Sequence, residues 1–248
     1  MNQKILKKSN EKKWKKELAE FYTGKEAEEY EYKREKKDAR RFAEVQRQID
    51  ITKALLKLTP DSNKIKILDV ACGTGRFFKL YGKRKIYGID ISNDMLKQAR
   101  KSKKAVLKVA DAEKIPYAKN SFDIVITAQF IQHLEDYMPY LKEMVRVCKS
   151  KGYLIMDFPN KYSLASLARF FKRLFKRAKR PYTFFTRKQI KKIAEKLDLE
   201  VIKWKDTIII SPVYFPKKML GFVTFLNKFL IHRIPCFAYK HYVLFRKK

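Results

Sequence analysis

Short apolar runs separated by polar, helix-periodic stretches organise the middle of this chain. Four of them, in IKILDV (65–70), KIYGIDIS (85–92), AVLKVAD (105–111) and SFDIVITAQF (121–130), are each followed by turn-forming or polar residues. Runs of this length with little in/out alternation predict parallel strands buried on both faces, with helical crossovers between them. Glu11 to Leu58 reads as helical, broken once at Gly24. Two later stretches interrupt the pattern. KYSLASLARFFKRLFKRAKRPY (161–182) places Leu164, Leu167, Phe170, Phe171, Leu174 and Phe175 at three- and four-residue steps with Arg and Lys between them, which predicts a basic amphipathic helix. SPVYFPKKMLGFVTFLNKFLIHRIPCFAYK (211–240) is aromatic-rich and punctuated by Pro212, Pro216 and Pro235.

The junction after the first run carries the chemistry. IKILDVACGTGRFF predicts a strand delivering a tight glycine turn to a helix N-terminus, where a ligand can lie against bare backbone at Gly73 and Gly75. The turn lacks the third glycine of a pyrophosphate-binding fingerprint, and Asp69 at the strand end would repel an anion and welcome a cation. S-adenosylmethionine, with its ammonium and sulfonium, suits that environment. Asp90 ends the second strand 21 residues after Asp69, placed to accept the ribose hydroxyls. Asp111 ends the third, where its carboxylate and the Ala112 amide face an adenine edge; the fourth opens onto Gln129 and His133.

These pieces, LDVACGTG, GIDISNDML, ADAEKIPYAKNSFDIVITAQFIQHLED and MVRVCKSKGYLIMDFPN, resemble the class I S-adenosylmethionine-dependent methyltransferases. The similarity is strongest to the small-molecule branch that includes the ubiquinone and menaquinone C-methyltransferases. FFTRKQIKKIAEKLDLEVI resembles that family's helix before strand six, and HYVLFRKK its final strand. The resemblance implies an α/β, Rossmann-like sheet of seven strands, mostly parallel with the last antiparallel, helices on both faces, and lid insertions near the C-terminus. It implies a helical cap over residues 1–60 and a methyltransferase domain over 61–248, with insertions at about 161–186 and 211–238. The cofactor contacts it implies are Asp69, Ala71, Cys72, Gly73, Thr74, Gly75, Asp90, Ile91, Met95, Asp111, Ala112, Ala128 and Gln129, with Tyr22, Tyr30 and Arg40 of the cap as further candidates. Ala71 replaces a glycine common in the family, and the SKG turn lacks its usual proline.

Composition narrows the setting. The 248 residues suffice for one embellished domain with an ample core. There is no 18-residue uncharged apolar run for a membrane span, and MNQKILKKSNEKKWKK has no apolar core for a secretory signal. Cys72, Cys148 and Cys236 are too scattered for a metal site, so a metal-free, cytoplasmic protein is expected. Of the net charge of +33, +19 lies in residues 161–248. That concentration draws anions and adds peripheral contact with an anionic membrane to the expected partners.

Among three histidines, His133 is the candidate proton acceptor, while His232 and His241 read as structural. Two other functions fit parts of the sequence. An RNA methyltransferase would use the basic last third to track phosphates, although TAQF is not the Asn/Asp-Pro-Pro motif used on exocyclic amines. A non-catalytic interaction protein would not need to keep Gly73, Gly75, Asp90 and Asp111.

Overall fold

The computed structural model describes residues 15, 17, 20–33, 38–101, 105–164, 166, 167, 169, 182–207 and 216–248. Seven strands, β1 (Lys66–Val70), β2 (Lys85–Asp90), β3 (Val106–Val109), β4 (Phe122–Thr127), β5 (Cys148–Pro159), β6 (Leu199–Asp206) and β7 (Lys240–Lys247), form one sheet in the order β3-β2-β1-β4-β5-β7-β6. Strands β1 to β5 pair in parallel, and β7 runs antiparallel between β5 and β6. The expected Rossmann-like sheet is therefore present, with its single reversed strand.

Successive residues of each central strand enter different cores. Leu68, Val125, Leu154, Met156, Val243 and Phe245 face a core completed by Leu141 and Met144 of α4 (Met138–Val147) and Ile190 and Ile193 of α5 (Arg187–Lys196). Ile67, Ile124, Ile126, Ile155, Tyr242 and Leu244 face the other, with Leu55 and Leu56 of α2 (Ala39–Leu56) and Ala99 of α3 (Asn93–Ala99). Burial on both faces is why β1, β2 and β4 read as unbroken apolar runs; β3 departs from the expectation, because at the sheet edge it leaves Val106 and Val109 exposed.

The helices start where local chemistry supplies partners for free amides. Asp38 caps α2 through Arg40 N, Ser92 caps α3 through Met95 N, and Thr186 with Gln189 forms a capping box on α5. α1 (Gly24–Glu31) follows the expected break at Gly24, which has φ +48°. The Glu11–Leu58 helix is interrupted a second time at Asp38, whose backbone is extended (φ −145°, ψ 114°). Most of the stretch 161–182, expected as an amphipathic helix, lies outside the described residues. The last helix, α6 (Leu220–Arg233), precedes β7. Among the described residues, no helix is long and apolar enough to cross a membrane.

One expectation fails at the site itself. No α-helix follows the glycine turn: the chain makes turns and a short 3-10 helix, Phe78–Tyr81. Gly73, Gly75 and Gly82 all have positive φ, leaving only six residues between the last two in which to wind a helix. The i→i+3 bonds Phe78 N to Gly75 O and Leu80 N to Phe77 O close it tightly instead.

Candidate functional site

The strand order reverses between β1 and β4, the switch point at whose carboxyl edge open α/β sheets bind ligands. A cavity of about 420 Å³ opens there. The ends of four strands build its floor: Asp69, Ala71, Cys72, Gly73 and Thr74 from β1, Asp90 and Ile91 from β2, Ala110 to Ala112 from β3, and Ala128, Gln129 and Phe130 from β4. Met95 of α3, with Gln132 and His133 on the turn after β4, completes the wall. Tyr22, Tyr30 and Glu31 of the N-terminal segment, and Lys15, lie across it.

All but one of the expected cofactor residues thus line a single cavity. Gly75 does not. A side chain there would meet the Phe78 ring at 2.7 Å and Ala99 Cβ at 3.2 Å, so packing beneath the loop, together with its φ of +72°, requires the glycine. At Gly73 an added Cβ would meet only the tip of Met95, at 3.2 Å, and its backbone faces the cavity. Arg40 is also absent from the lining; its guanidinium pairs with Asp38.

Two non-glycine residues with left-handed backbone, Ala71 (φ +57°) and Gln129 (φ +62°), flank the switch point. Such strain persists only where surroundings enforce it. At Gln129 the enforcing group is Asp157 of β5, whose carboxylate accepts the Gln129 amide at 2.7 Å. The same carboxylate pairs at 2.6 Å with Lys240, and both side chains are essentially inaccessible (0% and 1%). The Lys240 ammonium also donates to the side-chain oxygens of Gln129 (3.0 Å) and Gln132 (2.6 Å). Sequence reasoning missed this cluster. An isolated lysine opening an apolar strand reads as exposed, and only the antiparallel return of β7 carries it under the site.

The lining inverts the sign of the protein. In a chain of net charge +33, it contains Glu17, Glu31, Asp69, Asp90, Asp111 and Glu135 against Lys15 and Arg76. Burial pushes the Asp69 carboxyl up to about 7, with the charge of Asp90 adding to the shift, although a 2.5 Å bond from the Tyr81 hydroxyl favours its ionised form. Asp90 is raised too, by burial, against amide hydrogen bonds from Gly73 (2.8 Å) and Ser92 (2.9 Å). The Asp111 carboxylate accepts from the Glu113 amide at 2.9 Å and pairs with Lys15 at 2.7 Å. Burial depresses the Lys15 ammonium, but its bonds to Asp111, Glu113 and Tyr140 outweigh that and raise it. Burial raises the Cys72 thiol well above its ordinary value, which makes it a turn residue rather than a nucleophile.

This cavity fits S-adenosylmethionine. Glu31 accepts from the Thr74 hydroxyl through one oxygen, while its other oxygen is buried with no partner, and so is the Gln129 amide nitrogen. Buried groups of this kind imply a polar ligand. The excess of carboxylates selects a cationic one, and the bare backbone at Gly73 admits its close approach.

Residues 68–156 match the family described as "Methyltransferase domain". A malonyl-[acyl-carrier protein] O-methyltransferase of Legionella pneumophila is 37% identical over 130 residues, 48% of this chain and 44% of that protein. A demethylmenaquinone methyltransferase of Bacillus mycoides is 36% identical over 115 residues, 42% and 47% of the respective chains. The aligned region spans about half the length of these curated relatives. The solved magnesium protoporphyrin IX methyltransferase of Synechocystis, with bound SAH, shares the fold at a TM-score of 0.67 and 15% identity, covering 95% of this chain and 100% of that one.

Proposed function

We propose that this chain, whose core is a class I S-adenosylmethionine-dependent methyltransferase domain of the small-molecule type, transfers a methyl group to a small-molecule or lipid-like acceptor by in-line displacement. The observation that carries the reading is the electronegative, glycine-floored cavity at the switch point of an otherwise strongly basic protein. S-adenosylmethionine, when bound, supplies the activated methyl group. Gly73 and Ala112 offer backbone to it, Asp90 retains acceptor capacity for ribose hydroxyls beyond its two amide bonds, and Asp69 and Glu31 face its cationic portion. Asp111 serves the adenine end.

The remaining task of the protein is alignment and exclusion of water. Tyr22, Tyr30 and Glu31 cover the cavity and are pinned from below. The Ser92 hydroxyl donates to the Tyr22 carbonyl at 2.6 Å, and Asp94 accepts the Gly24 amide at 2.9 Å. Where the acceptor must lose a proton, His133 is the group to take it. It sits at the cavity wall beside Gln132 and in edge contact with the Tyr182 ring (5.9 Å). The acceptor class follows from the composition of the last third of the chain, apolar and basic together, which suits a hydrophobic molecule with an anionic part.

Calorimetry with S-adenosylmethionine tests the cofactor, and no binding would sink the reading. Incubation with methyl-labelled cofactor and cell extract separated into lipid, RNA and small polar fractions tests the acceptor. Label in lipid or small molecules is expected; label confined to RNA would replace this reading with a phosphate-tracking one.

A further inference from the structure

Helix α6 buries one side and exposes aromatic rings on the opposite one. Val223 and Asn227 are buried, and Asn227 is tied to the Val223 carbonyl at 2.9 Å. Phe222, Phe225 and Phe229 instead stand in solvent, at 56%, 67% and 50% exposure. With 3.6 residues per turn, these three rings fall within an arc of about 60°, roughly opposite the buried side. A helix inside one domain has no use for a second apolar face of this kind, and contiguous exposed aromatics mark a binding surface.

The surroundings say what covers it. Lys218 and Lys228 are exposed, the Arg233 guanidinium lies 4.1 Å from the centre of the Phe229 ring, and no Asp or Glu follows Asp206 in the sequence. Three exposed rings among cations, in a segment with no acidic residue, match an interface of acyl chains beneath anionic headgroups. A nucleic acid would use the cations but leave the three rings, one beside another on a helix, without a role.

The helix leads through a short turn to the edge of the sheet that holds the cavity. After α6 the chain makes a short 3-10 turn, Pro235–Phe237, which Asn160 at the end of β5 fastens by donating to the carbonyls of Cys236 (2.6 Å) and Ala238 (2.8 Å). Lys240 follows, with its ammonium on Gln129 and Gln132 of the cavity lining. We infer that Phe222, Phe225 and Phe229 of α6, with Lys218, Lys228 and Arg233, dock the protein on an anionic lipid surface. The surface stands independently of catalysis; only its use, presenting a membrane-dissolved acceptor to the cavity, rests on the methyl-transfer reading.

Co-sedimentation with vesicles tests it. The protein should pellet with phosphatidylcholine vesicles containing phosphatidylglycerol at low salt, and not with phosphatidylcholine alone. Lys218→Glu with Lys228→Glu should weaken binding by at least about 25-fold, since each basic residue near such a surface contributes about fivefold. The triple variant Phe222→Ser, Phe225→Ser, Phe229→Ser should lose it. Equal binding to neutral vesicles, undiminished binding by the triple variant, or capture of structured RNA with no vesicle binding would each overturn the proposal. Should the triple variant misfold, Phe225→Trp decides. Its emission should shift to the blue on anionic vesicles and be quenched by brominated acyl chains, and an unchanged spectrum would overturn docking. Calorimetry with S-adenosylmethionine on the same proteins keeps the two readings apart, because loss of cofactor binding with intact docking would remove only the methyltransferase.

Discussion

Binding of S-adenosylmethionine should expel a proton from Asp69. The carboxyl is 3% exposed and pushed up to about 7, chiefly by burial. At pH 7 it is then about half protonated. A cation seated in the same cavity favours the carboxylate and lowers such a group by about one to three units. Taking a shift to about 5, binding at pH 7 releases about half a proton, and affinity rises about ninefold between pH 6 and pH 8. Calorimetry in buffers of different ionisation enthalpy measures the release directly. Asp69→Asn, which preserves an acceptor for the Tyr81 hydroxyl, should abolish both the release and the pH dependence. A heat of binding at pH 7 independent of buffer, or the same proton count in Asp69→Asn, would refute the argument.

The same group has a signature without ligand. A carboxyl raised in the folded state stabilises the fold fully below its unfolded value near 4, and that contribution is lost as pH climbs through about 7. Relative to wild type, Asp69→Asn should therefore gain stability from pH 5 to pH 8. Chemical denaturation at the two pH values checks the sign.

Asp90→Ala should weaken S-adenosylmethionine about ten- to a hundredfold by calorimetry, as hydrogen bonds to a charged group contribute about 1.5–3 kcal/mol; unchanged affinity would move the ribose elsewhere. Gly75→Ala, forced against the Phe78 ring at a φ of +72°, should destabilise by about 1–3 kcal/mol in urea, and a wild-type midpoint would contradict the packing role. Lys240→Met strands the buried Asp157 carboxylate and should cost about 3–5 kcal/mol, whereas adding Asp157→Leu should recover much of it; equal loss in the double variant would deny the pair its role.

The legible parts of this protein and the illegible ones differ in where their partners lie. Strands β1, β2 and β4 were readable because burial on both faces leaves a continuous apolar trace, visible in Ile67 and Leu68 without knowing what covers either. The floor of the cavity was readable for a related reason: each acidic residue sits at or just beyond the end of its own strand, so Asp69, Asp90 and Asp111 announce a shared edge once the strands are parallel. Gly75 was half readable. A glycine was evidently needed, but the sequence around it does not distinguish a ligand pressing from above from Phe78 packing below. The helix expected after it failed on a count of residues between positive-φ glycines, a constraint set by backbone angles rather than side-chain types. Lys240 and Asp157 were out of reach because they are 83 residues apart and meet only through the β5–β7 pairing. Yet that pair holds Gln129 in its left-handed conformation at the switch point, so the least readable contact in the site shapes one of its most readable loops. Local chemistry thus specifies what the cavity binds, and long-range pairing across the reversed strand holds one wall of it in place.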